Sequence, residues 1–100
     1  MAAIAAADHV IALYPFHVDA LNLRGTLQAM RGSFDAAHRD FATAVEANPD
    51  DPASAFNLAQ VLQRLGQRDA ASATLQRVLA LDPSHPHARA RLAQLMSPMP

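Results

Sequence analysis

The stretch EANPDDPASAFNLA, Glu46 to Ala59, sets two helix breakers, Pro49 and Pro52, within four residues of each other in a chain that reads as helical on both sides. A second stretch, ALDPSHPHARARLA from Ala80 to Ala93, carries Pro83 and Pro86 at the same spacing, with Leu92 and Ala93 standing where Leu58 and Ala59 stand in the first. The offset is 34 residues, and one further step back from Pro49 reaches Pro15 in ALYPFHVDAL. The breakers recur three times in register, so they mark the joints of a repeated unit.

Laying Val18 to Asp51 over Pro52 to His85 brings Gly32 onto Gly66, Asp35-Ala36-Ala37 onto Asp69-Ala70-Ala71, and Pro49 onto Pro83. Leu27 falls on Val61, Phe41 on Leu75 and Ala44 on Val78, so side-chain size is kept where identity is not. The glycine divides each unit into two segments long enough for one helix apiece. Phe34, Ala37, Phe41, Ala44 and Val45 lie on one stripe at helical spacing, and Ala71, Leu75, Val78 and Leu79 repeat it. Gly32 and Gly66 suit the left-handed position that closes a helix, with Ser33 placed to cap the next one. Pro49 stops a helix, while Asp51 caps the following one and Pro52 opens it, at a position whose N–H has no intrahelical partner to lose. Each unit is therefore expected to be an antiparallel helix hairpin.

Composition agrees with close helix packing. Half of the 100 residues are hydrophobic, only five are aromatic, and alanine abounds, which favours an all-α class over a core of large rings. Eight arginines, with no lysine, against nine acids give a net charge of −1, too little field to attract nucleic acid or an anionic membrane, so neither is expected as a partner. Cysteine is absent, which excludes disulfides, thiol catalysis and thiolate-bound zinc. The opening MAAIAAADHVIALYP lacks a basic leader, and Asp8 and His9 break its apolar run, so it reads as a helix of the folded protein rather than a signal peptide. With no stretch as long as a membrane span, a cytoplasmic location is favoured.

A 34-residue helix-turn-helix of this pattern resembles the tetratricopeptide repeat, whose signature is W-x2-L-G-x2-Y, then A-x3-F, then P. In the first unit Gly25, Ala37, Phe41, Ala44 and Pro49 occupy the signature's small, large and proline positions, with Leu21 in place of the tryptophan. In the second, Leu58, Ala59, Ala71, Leu75, Val78 and Pro83 match, with Ala55 at the tryptophan position and Leu62 at the tyrosine position. Arg24 and Gln28 depart from it, standing where apolar residues are expected. The resemblance implies a right-handed superhelical stack of hairpins, about six helices in all, forming a single domain over residues 1–100. Residues 2–14 are read as the second helix of a partial repeat, 18–51 and 52–85 as full repeats, and 86–97 as a capping helix. Ala3, Ala7 and Val10 are expected at the packing positions of the first helix. In the last, Leu92, Ala93 and Met96 are expected to face inward and Arg89, Arg91 and Gln94 to be solvated. The unpartnered first helix leaves two expectations open: self-association through residues 2–13, or continuation of a longer array.

Stacked hairpins of this kind curve, and the first helix of each unit lines the concave face. The resemblance therefore implies a peptide-binding groove built from Asn22, Thr26 and Met30 in the first unit, Phe56, Asn57, Gln60 and Arg64 in the second, and His87 and Arg91 in the last helix, with Ala29 beside them. Such a groove is rich in amides and suits an extended peptide backbone. Members of the family that grip an acidic C-terminus do so with five clamp positions. Asn57 and Arg91 match them, whereas Asn22, Thr26 and His87 replace a lysine, an asparagine and a second lysine, removing most of the point charge for a carboxylate. Phe56 reads equally as a recognition ring or as packing against a neighbouring helix.

Catalytic chemistry finds no purchase. His85, His87 and Asp82 lie in a proline-rich turn without helical metal-ligand spacing, and three dispersed glycines cannot build a phosphate loop. No nucleophile motif is present, and no cofactor or metal is expected. The sequence thus points to a non-enzymatic module that binds a protein or peptide, the alternative being a structural or oligomerising element or a fragment of a larger multidomain protein. Two substitutions test the register. Ala37→Leu is predicted to destabilise by about 1–3 kcal/mol through overpacking, and Phe41→Ala by about 3–5 kcal/mol through loss of a core ring. Chemical denaturation with unchanged midpoints would show that these positions are not core.

Overall fold

The computed structural model describes residues 2–97, which form six helices and, among those residues, no strand: α1 (Ala2–Leu13), α2 (Val18–Met30), α3 (Phe34–Ala47), α4 (Pro52–Arg64), α5 (Arg68–Leu81) and α6 (Pro86–Met96). Each helix packs on its neighbours in the chain, and α2 also touches α4, giving a stack of 44 × 26 × 18 Å. No described helix is long and apolar enough to cross a membrane.

The joints follow the local chemistry. Gly32 and Gly66 take φ of 80° and 78°, the left-handed region where a side chain is strained, and nothing else in the described chain does. Directly after each, Ser33 N–H donates to Gln28 C=O at 2.8 Å and Gln67 N–H to Leu62 C=O at 2.9 Å, closing the helix end. Ser33 holds the N-cap position of α3 without a side-chain capping bond. At the other type of joint, three caps recur at steps of 34 residues. His17 Nδ1 accepts from Ala20 N–H at 3.1 Å, an Asp51 carboxylate oxygen from Ala53 N–H at 3.1 Å, and His85 Nδ1 from Ala88 N–H at 3.0 Å. Pro52 and Pro86 open α4 and α6 immediately behind two of these caps.

Within each hairpin a small residue allows the helices to close up. Ala37, Ala71 and their stripe partners Ala44 and Val78 are wholly buried. Gly25 shows the constraint most sharply: a methyl group there would lie 2.6 Å from the Phe41 ring, far inside contact distance, so the absent side chain is the space the ring occupies. In the second hairpin Ala55, Ala59 and Leu62 of α4 meet Ala71, Leu75 and Val78 of α5 in one cluster that extends to Ala88 and Leu95 of α6.

The last helix packs in a different register from the one its sequence suggests. Ala88 and Leu95 are buried against α5, with Leu92 partly buried, whereas Ala93 is exposed and Met96 is 67% exposed. Ala93 and Met96 are the counterparts of Ala59 and Leu62, which owe their burial to α5; among the described residues no helix follows α6 to do the same. At the opposite end Ala3 is exposed, although its counterparts Ala37 and Ala71 are fully buried, while Ala7 is buried and Val10 half-buried.

The departures at Arg24 and Gln28 resolve in opposite ways. Arg24 grips Asp40 of α3 with two parallel bonds of 2.7 Å, from Nε and Nη2, and reaches Asp8 of α1 with Nη1 at 2.8 Å. The Asp40 side chain is only 8% exposed, so a buried carboxylate has its cation and α2 is tied to both flanking helices. The hydrogen bond to Asp40 pushes the guanidinium still further above the ordinary arginine range, against the opposing effect of burial. Gln28 gains no such compensation, since its Oε1 is buried with no partner among the described residues.

Two predictions follow from this packing. Gly25→Ala should improve helix propensity by about 1 kcal/mol yet lose more by overpacking against Phe41, about 1–3 kcal/mol. In a Phe41→Leu background the same change should become neutral or stabilising by urea denaturation. Arg24→Met should cost about 3 kcal/mol by stranding Asp40, while Arg24→Met combined with Asp40→Leu should recover most of the loss.

Candidate functional site

The helical period places Asn57, Gln60 and Arg64 along one flank of α4, because steps of three and four residues return to the same face. Thr26, Ala29 and Met30 do the same on α2, and Arg91 joins them from α6. Together with Phe34 and Phe41 of α3 and Val61 of α4, these residues line a cleft of about 360 Å³. Its floor is apolar: Phe41 and Val61 are buried core residues that present an edge to it, and Phe34 is half-buried. Its rim is polar, and Met30, 77% exposed, overhangs it as an uncovered apolar arm.

Neither arginine of the cleft is paired with a carboxylate among the described residues. The Arg64 guanidinium lies over the Phe34 ring at 5.1 Å, and Arg91 lies 5.8 Å from the Phe56 centroid while its Nη1 donates to Gln63 Oε1 at 3.2 Å. Aromatic faces hold both cations in place and leave hydrogen-bond donors unspent. Asn57 and Gln60 likewise make no side-chain hydrogen bond among the described residues, and both are partly exposed. No aspartate or glutamate lines the cleft. The arrangement can therefore donate hydrogen bonds from its rim and receive an apolar group against its floor.

Of the residues expected in a groove, Thr26, Met30, Asn57, Gln60, Arg64 and Arg91 come together here. Asn22, Phe56 and His87 do not. Asn22 is half-buried, its Nδ2 donating at 2.8 Å to Ser54 Oγ, which donates in turn to Asp51 at 2.7 Å; it braces α2 against the cap of α4. Its Oδ1 is buried without a partner among the described residues. Phe56 is half-buried against the second hairpin's core, with its ring 4.7 Å from that of His85 and 6.3 Å from that of His87. Packing is thus its structural role, and its face serves as the seat of Arg91. His87 is exposed beside this ring cluster, outside the cleft.

Three lining residues escaped the sequence reading. Phe41 and Val61 carry a core signature and are core, and only the gap between α2 and α4 exposes an edge of each. Phe34 begins α3, and its role shows only once Arg64 is seen above it. One signal was available: an aromatic just after a helix-closing glycine, 30 residues before an arginine on the groove face, has no counterpart in the second unit, where Arg68 stands at the equivalent position. Among the described residues no three histidine, aspartate or glutamate side chains converge as a metal site requires.

Comparison with known proteins places this geometry. Family models described as tetratricopeptide repeat match residues 28–95 and residues 1–52. No curated protein sequence matches significantly. Among solved structures, the crystal structure of MamA superposes with a TM-score of 0.86 at 22% identity, over 92% of this chain and 54% of that one. The O-GlcNAc transferase of Thermobaculum terrenum, in a mutant form, superposes with a TM-score of 0.86 at 27% identity, over 93% of this chain but 18% of the enzyme. The first TPR domain of Spaghetti (RPAP3), bound to an HSP90 peptide, gives 0.88 at 20% identity over 92% of this chain and 73% of that one. The chain thus spans about half the length of MamA and a small part of the transferase. The 34-residue period, the six stacked helices and two family models that between them run from residue 1 to residue 95 agree: the chain belongs to the tetratricopeptide repeat family.

Proposed function

We propose that this protein is a non-catalytic interaction module that binds a peptide or protein segment in extended form across the cleft between α2, α4 and α6. The observation that carries the reading is the pairing, in one cleft, of an apolar floor with polar groups that have no carboxylate partner: Asn57 and Gln60 bond to nothing described, and Arg64 and Arg91 rest on aromatic rings. Groups left in this state lose little on meeting a ligand, because no internal ion pair has to break first. The similar Spaghetti domain, bound to an HSP90 peptide, supports a peptide as the kind of occupant.

The mode of grip differs from a terminal-carboxylate clamp. The two positions that would hold lysines carry Asn22, turned inward to Ser54, and His87, outside the cleft. Recognition rests instead on an apolar side chain inserted over Phe34 and Phe41, with backbone carbonyls and acidic groups facing the rim donors. Catalysis is not part of the reading, since the cleft holds no acid, no histidine and no nucleophile beyond the Thr26 hydroxyl.

Selection of dodecapeptides from a displayed random library against the full chain, followed by fluorescence anisotropy with the best labelled peptide, tests this. Met30→Glu and Arg64→Glu should each weaken binding at least about tenfold, the scale of one buried contact of about 1.4 kcal/mol, while Gln76→Glu on the exposed side of α5 leaves it unchanged. Affinity indifferent to both cleft substitutions would place the ligand elsewhere and end the proposal.

A further inference from the structure

The helices that border the cleft carry different chemistry at matched positions. Steps of three and four residues place Leu23, Thr26 and Met30 on one face of α2, and the residues 34 further on are Asn57, Gln60 and Arg64 of α4, all three of which line the cleft. The same step from Asn57 reaches Arg91, the lining residue of α6. Leu23 thus stands on the cleft side of α2, just outside the cleft itself, and is 48% exposed. From α2 to α6 the row Leu23, Asn57, Arg91 passes from apolar through amide to cation, and the row Met30, Arg64 makes the change in one step. Packing does not demand this gradient, since Leu23, Met30 and Arg64 all lie at the surface. A lone exposed leucine would be ordinary. Here two large apolar side chains share a face with two arginines that have no carboxylate partner among the described residues.

We propose that the cleft selects an extended segment whose two ends differ: a large apolar side chain over α2, against Leu23 and Met30, and an acidic side chain at α6, held by Arg91. The inference rests on the cleft being the binding face and adds to it a direction and a spacing. Packed helices stand about 10 Å apart, so two steps from α2 to α6 cover about 20 Å, and an extended chain rising about 3.3 Å per residue crosses them in about six residues. Arg64, on the helix between, can meet a second acid about midway. The opposite placement is disfavoured, because a carboxylate set against Leu23 and Met30 would lose water and gain no cation, while the apolar residue would cover an arginine. Leu23 is thereby a specificity-determining residue that lies outside the enclosed part of the site.

Random dodecapeptides displayed as internal segments between fixed linkers, selected separately on the full chain and on its Leu23→Ser and Arg91→Glu variants, test this. Peptides enriched on the unaltered chain should carry a large apolar residue and an acidic one about six positions apart, in one order. Selection on Arg91→Glu should keep the apolar residue and replace the acid by lysine or arginine, whereas selection on Leu23→Ser should keep the acid and lose the apolar preference. In fluorescence anisotropy with amidated synthetic peptides, Arg91→Glu should weaken the acidic peptide at least about tenfold and favour its acid-to-lysine version, a reversal that mere loss of structure does not produce. Should Arg91→Glu lower helical content by circular dichroism, Arg64→Glu replaces it, with the exchange expected about three positions from the apolar residue. Peptides that lose affinity on Met30→Glu but show no fixed separation, or that keep their acids on the charge-reversed variant, overturn this inference and leave the interaction reading standing. Selections that enrich nothing, or peptides indifferent to every cleft substitution, overturn both.

Discussion

The distance between the two helices of a hairpin is the quantity on which the rest of this structure depends. Phe41 fits against α2 because Gly25 has no side chain, and Ala59 and Ala71 allow the same approach in the next unit. That approach sets how far apart consecutive first helices stand, and hence the width of the gap between α2 and α4. The cleft is the remainder of this packing. Its floor is the edge of Phe41 and Val61 that the hairpins leave uncovered, so a change that moved the helices apart would alter stability and the shape of the cleft together.

Polar groups settle what the apolar spacing leaves free. Arg24, at a position that calls for an apolar residue, lies sixteen residues after Asp8 and sixteen before Asp40, and it binds both. One side chain thereby fixes α1, α2 and α3 relative to one another. The arginines of the cleft behave differently, for they lean on rings instead of acids. Arg24 is thus neutralised inside and structural, whereas Arg64 and Arg91 are positioned but still able to bond.

Punctuation was legible in the sequence because it acts locally. Gly32 and Gly66 need a left-handed backbone, and Pro52 and Pro86 need a missing N–H at a helix start; neither demand involves distant residues. The packing stripe of α3 and α5 was legible for a similar reason, since periodicity alone identifies it. Legibility failed where burial depends on a neighbouring helix that the described residues do not include. Ala93 and Met96 carry the pattern of buried residues and lie exposed, and Ala3 does likewise. It failed also where a role depends on contact across the stack. Asn22 reads as groove and is a brace to Ser54; Phe34 reads as core and supports Arg64; the compensation of Arg24 needs two partners on other helices.

Every described helix leans mainly on the ones before and after it in the chain, and among the described residues no extensive contact joins the two ends of the stack. Length is therefore a free variable of the architecture: inserting or deleting a whole 34-residue module would leave the geometry of the others intact. The cleft-bearing face would grow or shrink by one helix at a time, like a ruler gaining graduations, without redesigning any existing seam. Such arrays also form through short-range encounters, so a lengthened version should assemble as readily as the short one.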